Sequence, residues 1–305
     1  MKILITGSNG FIGSNLIKKL CNTGHSIYGS VRKNSNINSI SDQLNSFELV
    51  EYDLNSNSFK KLLNRMDCIF HCVGNSYPMD KLDLFESAKL NILENIKFYE
   101  IIQNNKKKKL IFPSSGGAVY GNIIGKYASE NTNVDPISSY AIFKYCNEKI
   151  INLYKINKKF DYCILRVSNL YGPQSSSKPS FGLIPSCITK IESDDVIEVF
   201  GSLSLKRDYL YIDDFLNLVE QIIKKDISGV YNVSLGKSYS IKEVINIIEL
   251  ILKKRTKIKV QKIPDSIVLN SIINSKKIQD LTNWTPKVYL EEGIRKIINY
   301  DFHKK

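Results

Sequence analysis

The 305-residue sequence predicts a doubly wound parallel α/β sheet with a smaller, discontinuous C-terminal α/β lobe. Three observations lead there: apolar strand-like runs alternate with helix-period segments, the first such unit turns on regularly spaced glycines, and the alternation loosens after about residue 168. In chain order, strands are expected at 2–6, 26–31, 47–51, 67–73, 109–114, 161–167 and 229–233. Helices are expected near 11–23, 56–65, 86–105, 138–157 and 212–225. Right-handed crossovers then put helices on both faces of the sheet. Residues 171–182 (YGPQSSSKPSFG) read as a loop, and helices near 183–193, 240–254 and 290–301 complete the lobe. The expected division is 1–168 plus about 205–236 for the larger domain, and about 169–204 plus 237–305 for the smaller.

Composition narrows the class. Apolar content of 43% and charged content of 24% suit a globular protein. No run approaches the roughly 20 apolar residues of a membrane span, so no membrane partner is expected. The chain enters a strand at residue 2, which leaves no room for a signal peptide and points to the cytoplasm. The six cysteines and three histidines show no metal-ligand spacing, so reduced thiols and no metal are expected. A net charge of +13 is spread along the chain among Lys, Asn and Ile. The dense run Lys106–Lys109 reads as a solvated helix end before a strand, so nucleic acid is not the expected partner.

The opening segment KILITGSNGFIG gives the first functional signal. Gly7 can take the positive φ of a sharp turn, Gly10 leaves room for a pyrophosphate, and Gly13 lets the following helix pack close to its strand. Residues Asn9 to Gly13, including Phe11 and Ile12, would bring the helix N-terminus and its free N–H groups to the phosphates. Strand, glycine turn and helix together identify a dinucleotide site of Rossmann-like type.

A second signal lies at Ser138-Ser139-Tyr140-Ala141-Ile142-Phe143-Lys144. Tyr140 and Lys144 share one helix face, and a cation beside a phenol of ordinary pKa about 10 favours its ionised form. Such a pair can exchange a proton as a carbonyl and an alcohol interconvert. The same spacing recurs at Tyr77/Lys81, Tyr145/Lys149, Tyr154/Lys158 and Tyr300/Lys304, but only Tyr140/Lys144 follows a Ser-Ser-Gly-Gly turn closing a strand.

With these residues in view, the chain resembles the extended short-chain dehydrogenase/reductase family, in its nucleotide-sugar epimerase, dehydratase and reductase branch. The resemblance runs through TGSNGFIGSNL at 6–16, YDL at 52–54, FHCVG at 70–74, SSGGAVYG at 114–121, YAIFK at 140–144, LRVSNLYGP at 165–173, KRDYLYIDD at 206–214 and WTPKVYLEEGI at 284–294. It implies that Asp53 and Leu54 contact adenine and that His71, Cys72, Val73 and Gly74 line the cofactor. It implies that Tyr140 is the acid/base and that Lys144 also holds the nicotinamide ribose. Asn169 and Arg207 would meet the substrate's nucleotide-diphosphate side, where a guanidinium fork suits phosphate. A homodimer through helices near 86–105 and 138–157 is expected on the same ground.

Three departures from the family pattern bear on function. Gly116 stands where the family carries a catalytic hydroxyl, which leaves Ser115, or Ser114 beside it, for that role. The second strand ends Gly29-Ser30-Val31-Arg32-Lys33 with no carboxylate, so Arg32 would meet a 2′-phosphate and NADP(H) is preferred over NAD(H). The stretch 267–271 lacks the late arginine that clamps the substrate diphosphate. The expected substrate is a nucleotide-diphosphate sugar oxidised or reduced at C4. Exchangeable NADPH favours a 4-keto reductase; a 4-epimerase is the alternative. Gly117-Ala118 replace the Asp-Glu pair of a 4,6-dehydratase. A non-catalytic cofactor-sensing or RNA-binding relative is the remaining alternative, though it would not need Tyr140 and Lys144.

Overall fold

The structure is a computed structural model that describes residues 1–302 apart from 75–82, 104–107, 124–126, 158, 174–181 and 265–266. In chain order its elements begin β1 (Lys2–Thr6), α1 (Phe11–Leu20), β2 (Ser26–Val31), β3 (Glu48–Glu51), α2 (Asn57–Arg65), β4 (Cys68–His71) and α3 (Leu84–Ala88). There follow a π turn (Lys89–Leu93), α4 (Glu94–Ile102), β5 (Lys109–Ser115), α5 (Ser139–Ile156), β6 (Asp161–Val167) and β7 (Asn169–Tyr171). The rest are α6 (Leu183–Glu192), β8 (Ile197–Phe200), β9 (Lys206–Tyr211), α7 (Ile212–Lys224), β10 (Gly229–Val233), β11 (Ser238–Ser240), α8 (Ile241–Leu252), β12 (Ile258–Gln261), β13 (Asn270–Ser271), α9 (Lys276–Thr282) and α10 (Leu290–Phe302).

Seven strands form one parallel sheet in the order β10-β6-β5-β4-β1-β2-β3. The chain winds outward from β1 through β2 to β3, then returns to β4 on the other side of β1. The carboxyl ends of β1 and β4 therefore flank the point where strand order reverses, which is where open α/β sheets bind ligands. Buried runs explain the strands: Ile3, Leu4 and Ile5 are fully buried, and Cys68, Ile69 and Phe70 beside them nearly so.

The chain divides into two compact units. The first comprises 1–114, 138–166 and 219–231, with a core that includes Leu4, Phe59, Phe98, Tyr99, Phe112 and Ile164. The second comprises 115–137, 167–218 and 232–305. In it β9 pairs antiparallel with β11 and parallel with β7 and β13, while β8 and β12 form a separate parallel pair.

Two expectations are corrected. The helix read over 86–105 runs without interruption over 84–102 but is π-helical in its middle, between α3 and α4, with 104–105 outside the described residues. Asn91 and Asn95 each donate a side-chain N–H to the backbone carbonyl four residues earlier, Ser87 and Asn91, at 2.8 and 2.9 Å. Nor is the end of the lysine run solvated. Lys108 is buried and donates to the Leu63 carbonyl, and Lys109 Nζ lies 2.5 Å from Asp226 Oδ1. Of the loop read at 171–182, residues 174–181 lie outside the described residues.

Candidate active site

The glycine turn shows why each glycine is present. Gly7 has φ +64°, and a Cβ there would lie 3.1 Å from the Cys72 carbonyl oxygen, so the turn sits against the backbone leaving β4. At Gly13 a Cβ would come within 2.3 Å of the Gly7 carbonyl oxygen, so any side chain would force the helix away from the turn. A Cβ on Gly10 would meet only the Gly7 oxygen, at 3.3 Å. Gly10 is the exposed N-cap of α1, with no side-chain cap and no acidic residue in the first turn. That combination leaves an uncapped, dipole-positive helix end suited to a pyrophosphate. Asn9 ties the turn to the chain beyond β2, its Nδ2 donating to the Asn36 carbonyl at 2.9 Å. Phe11 and Ile12, the first residues of α1, are half-buried.

The other residues implied for the cofactor fall at the carboxyl ends of neighbouring strands. Arg32 follows β2 and is exposed. Asp53 makes a turn after β3, its Oδ1 accepting the Asn55 N–H at 2.8 Å. Leu54 is only 3% exposed and belongs to the core. Cys72 and Val73 are half-buried beyond β4, and Gly74 is exposed. His71 is buried between two polar partners, with Nδ1 2.9 Å from Thr6 Oγ1 and Nε2 3.0 Å from Asn95 Oδ1. Its ring stacks on Phe98 at 4.1 Å, and burial pulls its pKa down to about 4. Both ring nitrogens are thus engaged inside the unit.

Ser138 caps α5 by accepting the Ala141 N–H at 3.2 Å, which places half-buried Tyr140 in the first turn. Lys144 lies one turn on. Its Nζ donates to the Pro113 carbonyl at 2.8 Å, 4.9 Å from the Phe112 ring centroid and 5.9 Å from that of Tyr140. Burial lowers the Lys144 pKa to about 8, against the opposing influence of Cys72 and Glu148.

Glu148, one further turn along, is a buried neighbour of the candidate site that the sequence reading missed. It receives Arg166 Nε at 3.0 Å and Nη2 at 2.6 Å on Oε2, and Ser114 Oγ at 2.5 Å on Oε1. The Ser114 hydroxyl is therefore committed to a buried ion pair. Ser115 is half-buried, and its hydroxyl has no partner among the described residues. A second network joins α5 to α4: Asn147 Oδ1 accepts Asn95 Nδ2 at 2.9 Å and Tyr99 OH at 2.8 Å, while Asn147 Nδ2 donates to the Asn91 carbonyl at 2.9 Å. The available signal was polar residues every fourth position on otherwise apolar helices: Asn91 and Asn95, and Tyr140, Lys144 and Glu148.

In the second unit, Asn169 Nδ2 donates to the Asp208 carbonyl at 3.0 Å. The Asp208 carboxylate accepts the N–H groups of Leu235 and Gly236 at 3.0 and 2.8 Å, and burial raises its pKa to about 7. Arg207 donates Nη1 to the carbonyls of Lys206 and Leu269 at 2.9 and 2.8 Å, and Nη2 to that of Val268. Three of its five N–H groups are thus used; Nε–H and one Nη2–H have no partner among the described residues.

A phosphate-ready glycine turn at a sheet's switch point, with a tyrosine–lysine pair on a capped helix, defines a dinucleotide-dependent oxidoreductase class. A family model described as GDP-mannose 4,6 dehydratase matches residues 4–297. The chain belongs to that family, within the nucleotide-sugar epimerase, dehydratase and reductase branch of the extended short-chain dehydrogenases/reductases. It is 31% identical to a putative UDP-glucose 4-epimerase of Methanocaldococcus jannaschii, covering 98% of this chain and 97% of the relative. It is 28% identical to a dTDP-4-dehydro-6-deoxyglucose reductase of Escherichia coli, over 97% and 96% of the two chains. Among solved structures it resembles the UDP-glucuronic acid 4-epimerase of Bacillus cereus, in complex with UDP-glucuronic acid and NAD, with a TM-score of 0.89 and 25% identity over 100% of both chains.

Proposed function

We propose that this protein is a nucleotide-sugar 4-epimerase that keeps its nicotinamide dinucleotide bound. The observation that carries the chemistry is the Lys144 ammonium, held by the Pro113 carbonyl at 2.8 Å, one helical turn from Tyr140. The likeness to the two epimerases supports this direction of reaction. The open space at Gly10 and the uncapped end of α1 fit a dinucleotide's pyrophosphate. When bound, that group supplies the ring that accepts and returns a hydride.

The chain's own residues move the proton. Tyr140 takes the proton of the sugar's 4-hydroxyl as that carbon is oxidised and returns it when the carbon is reduced again. Lys144 favours the ionised phenol between those events. Ser115, with its hydroxyl uncommitted, donates to the sugar oxygen; Ser114, bound to Glu148, is the weaker candidate. Gly117 and Ala118 supply no acid or base for dehydration.

A second reading, a 4-keto reductase using NADPH, is favoured by one feature. Exposed Arg32 directly follows β2, where NAD sites usually carry an acidic residue. Native mass spectrometry of the purified protein, with an assay for UDP-glucose/UDP-galactose exchange without added cofactor, separates the two. Retained NAD with exchange supports the epimerase. A site that fills with NADPH, consumed on a 4-ketosugar, supports the reductase, and neither activity overturns both.

The oligomer we propose is a homodimer through α3, the π turn and α5. These elements leave Leu84, Phe85, Leu93, Ile142, Leu153 and Ile156 between 43% and 73% exposed.

A further inference from the structure

We propose that Glu148 is a positioning residue: through Ser114 it holds the end of β5 against α5, so that the Pro113 carbonyl stays on the Lys144 ammonium. The inference deepens the Tyr140–Lys144 reading above and rests on it.

Three observations carry it. First, α5 reaches consecutive residues of β5 from positions one turn apart. Lys144 Nζ donates to the Pro113 carbonyl at 2.8 Å, and Glu148 Oε1 accepts the Ser114 hydroxyl at 2.5 Å. Second, the strand has need of such a tie. Pro113 has no N–H, so β5 loses a ladder donor at the very residue whose carbonyl meets Lys144. Third, the carboxylate that anchors the tie is itself fixed. Arg166, on the neighbouring strand β6, donates Nε at 3.0 Å and Nη2 at 2.6 Å to Oε2, and its Nε also lies 3.1 Å from Oε1. Glu148, Arg166 and Ser114 are 4%, 6% and 5% exposed, so water does not compete for these bonds. A buried ion pair adds little net stability over apolar side chains of similar volume, but its directional bonds set where each partner sits.

The consequence falls on the cation. Burial works against the charged form of Lys144, and an accepting carbonyl works for it. The titratable groups that face the ammonium are His71 on β4, Cys72 just beyond it, and Tyr140 and Glu148 on α5. Loosening the end of β5 would take the Pro113 oxygen from Lys144 and leave these groups as they are, so the lysine would give up its proton at lower pH.

The test is an NMR titration of carbon-labelled lysine side chains, with Lys144→Arg identifying the Lys144 signal. Ser114→Ala cuts the tie and leaves the ion pair. Glu148→Leu with Arg166→Met removes tie and pair together without stranding a buried charge. Ser114→Thr keeps the hydroxyl. Thermal melting checks folding. Loss of a charge-assisted bond should lower the Lys144 midpoint by about 0.5 to 1 pH unit in the first two, and leave it unchanged in Ser114→Thr. On that shift from about pH 8, kcat at pH 8 should fall about two- to fivefold with KM unchanged. A folded Ser114→Ala with an unmoved midpoint overturns the inference; a fall in turnover without the shift would mean that Ser114 touches substrate instead. A shift in the double variant alone would mean that Glu148 acts on Lys144 by its charge, and also overturns the tie. If the double variant fails to fold, Ser114→Ala still decides. The titration needs no substrate, so wild type without turnover on either sugar overturns the proposed function and not this inference.

Discussion

Lys144 should set the alkaline limit of this protein's activity and, separately, impose a pH-dependent stability cost. Its Nζ sits beside Phe112 and the Pro113 carbonyl, and burial brings its pKa from 10.5 to about 8. That difference corresponds to at most roughly 3 kcal/mol, at about 1.36 kcal/mol per pH unit. Because the side chain is half-buried, solvent screening reduces the figure. Below about pH 8 both folded and unfolded chains carry the proton, and the folded state bears the whole cost. Between about pH 8 and 10.4 the unfolded chain binds more protons, so folded stability rises with pH. Lys144→Met removes the charge. Urea unfolding of both proteins from about pH 7 to 10 should show wild type gaining about 2 kcal/mol on the variant. Over the same range wild-type kcat should fall above about pH 8 as the cation is lost. Lys144→Arg, which stays charged, should hold a lower but flat plateau. A wild-type-to-Met difference that does not change with pH would refute burial as the cause. An alkaline limb that survives in Lys144→Arg would assign it to another group.

Three other outcomes are expected. Tyr140→Phe should keep cofactor affinity and lose at least about a hundredfold in turnover, the scale of general acid–base catalysis; unchanged turnover in steady-state assays removes Tyr140 from the chemistry. Arg32→Ala should weaken NADP(H) binding more than NAD(H) binding in fluorescence titrations if the exposed guanidinium meets a 2′-phosphate, and equal effects end the case for NADP(H). Phe85→Asp, which charges a side chain 73% exposed on α3, should shift the protein to monomer in sedimentation velocity without lowering its melting temperature; a persistent dimer moves the interface elsewhere.

The centre of the main sheet was legible because strand segments such as Ile3-Leu4-Ile5 and Cys68-Ile69-Phe70 are buried apolar runs, and because strand-like and helix-like segments alternate along the chain. The expected strands 2–6, 26–31, 161–167 and 229–233 match those observed at both ends. The second unit's short strands were not legible. Asn169–Tyr171 and Asn270–Ser271 are too brief to show alternation and exist through pairing with the distant Lys206–Tyr211. The π turn within this helix escaped because local periodicity carries no record of side chains that bond back to the backbone. In the candidate site, Tyr140 and Lys144 were singled out by their spacing together with the Ser-Ser-Gly-Gly turn that precedes them. That Ser114 is bound to Glu148 was not, since the contact joins residues 34 positions apart. Arg207 was read as a phosphate-binding fork; that three backbone carbonyls take part of the fork is a tertiary fact which no sequence pattern records.

The amide ladder from His71 through Asn95 to Asn147 has a consequence for how this site could change. Greasy helix faces tolerate small slides, because one methyl group substitutes for another. Directional partners do not: moving α5 along its axis by even a residue would strand Asn147, Tyr99 and Asn95 together. The Tyr140 phenol at the front of that helix is therefore indexed like a tooth on a gear. Changes elsewhere in the chain would be accommodated more readily than a shift of the helix that holds Tyr140.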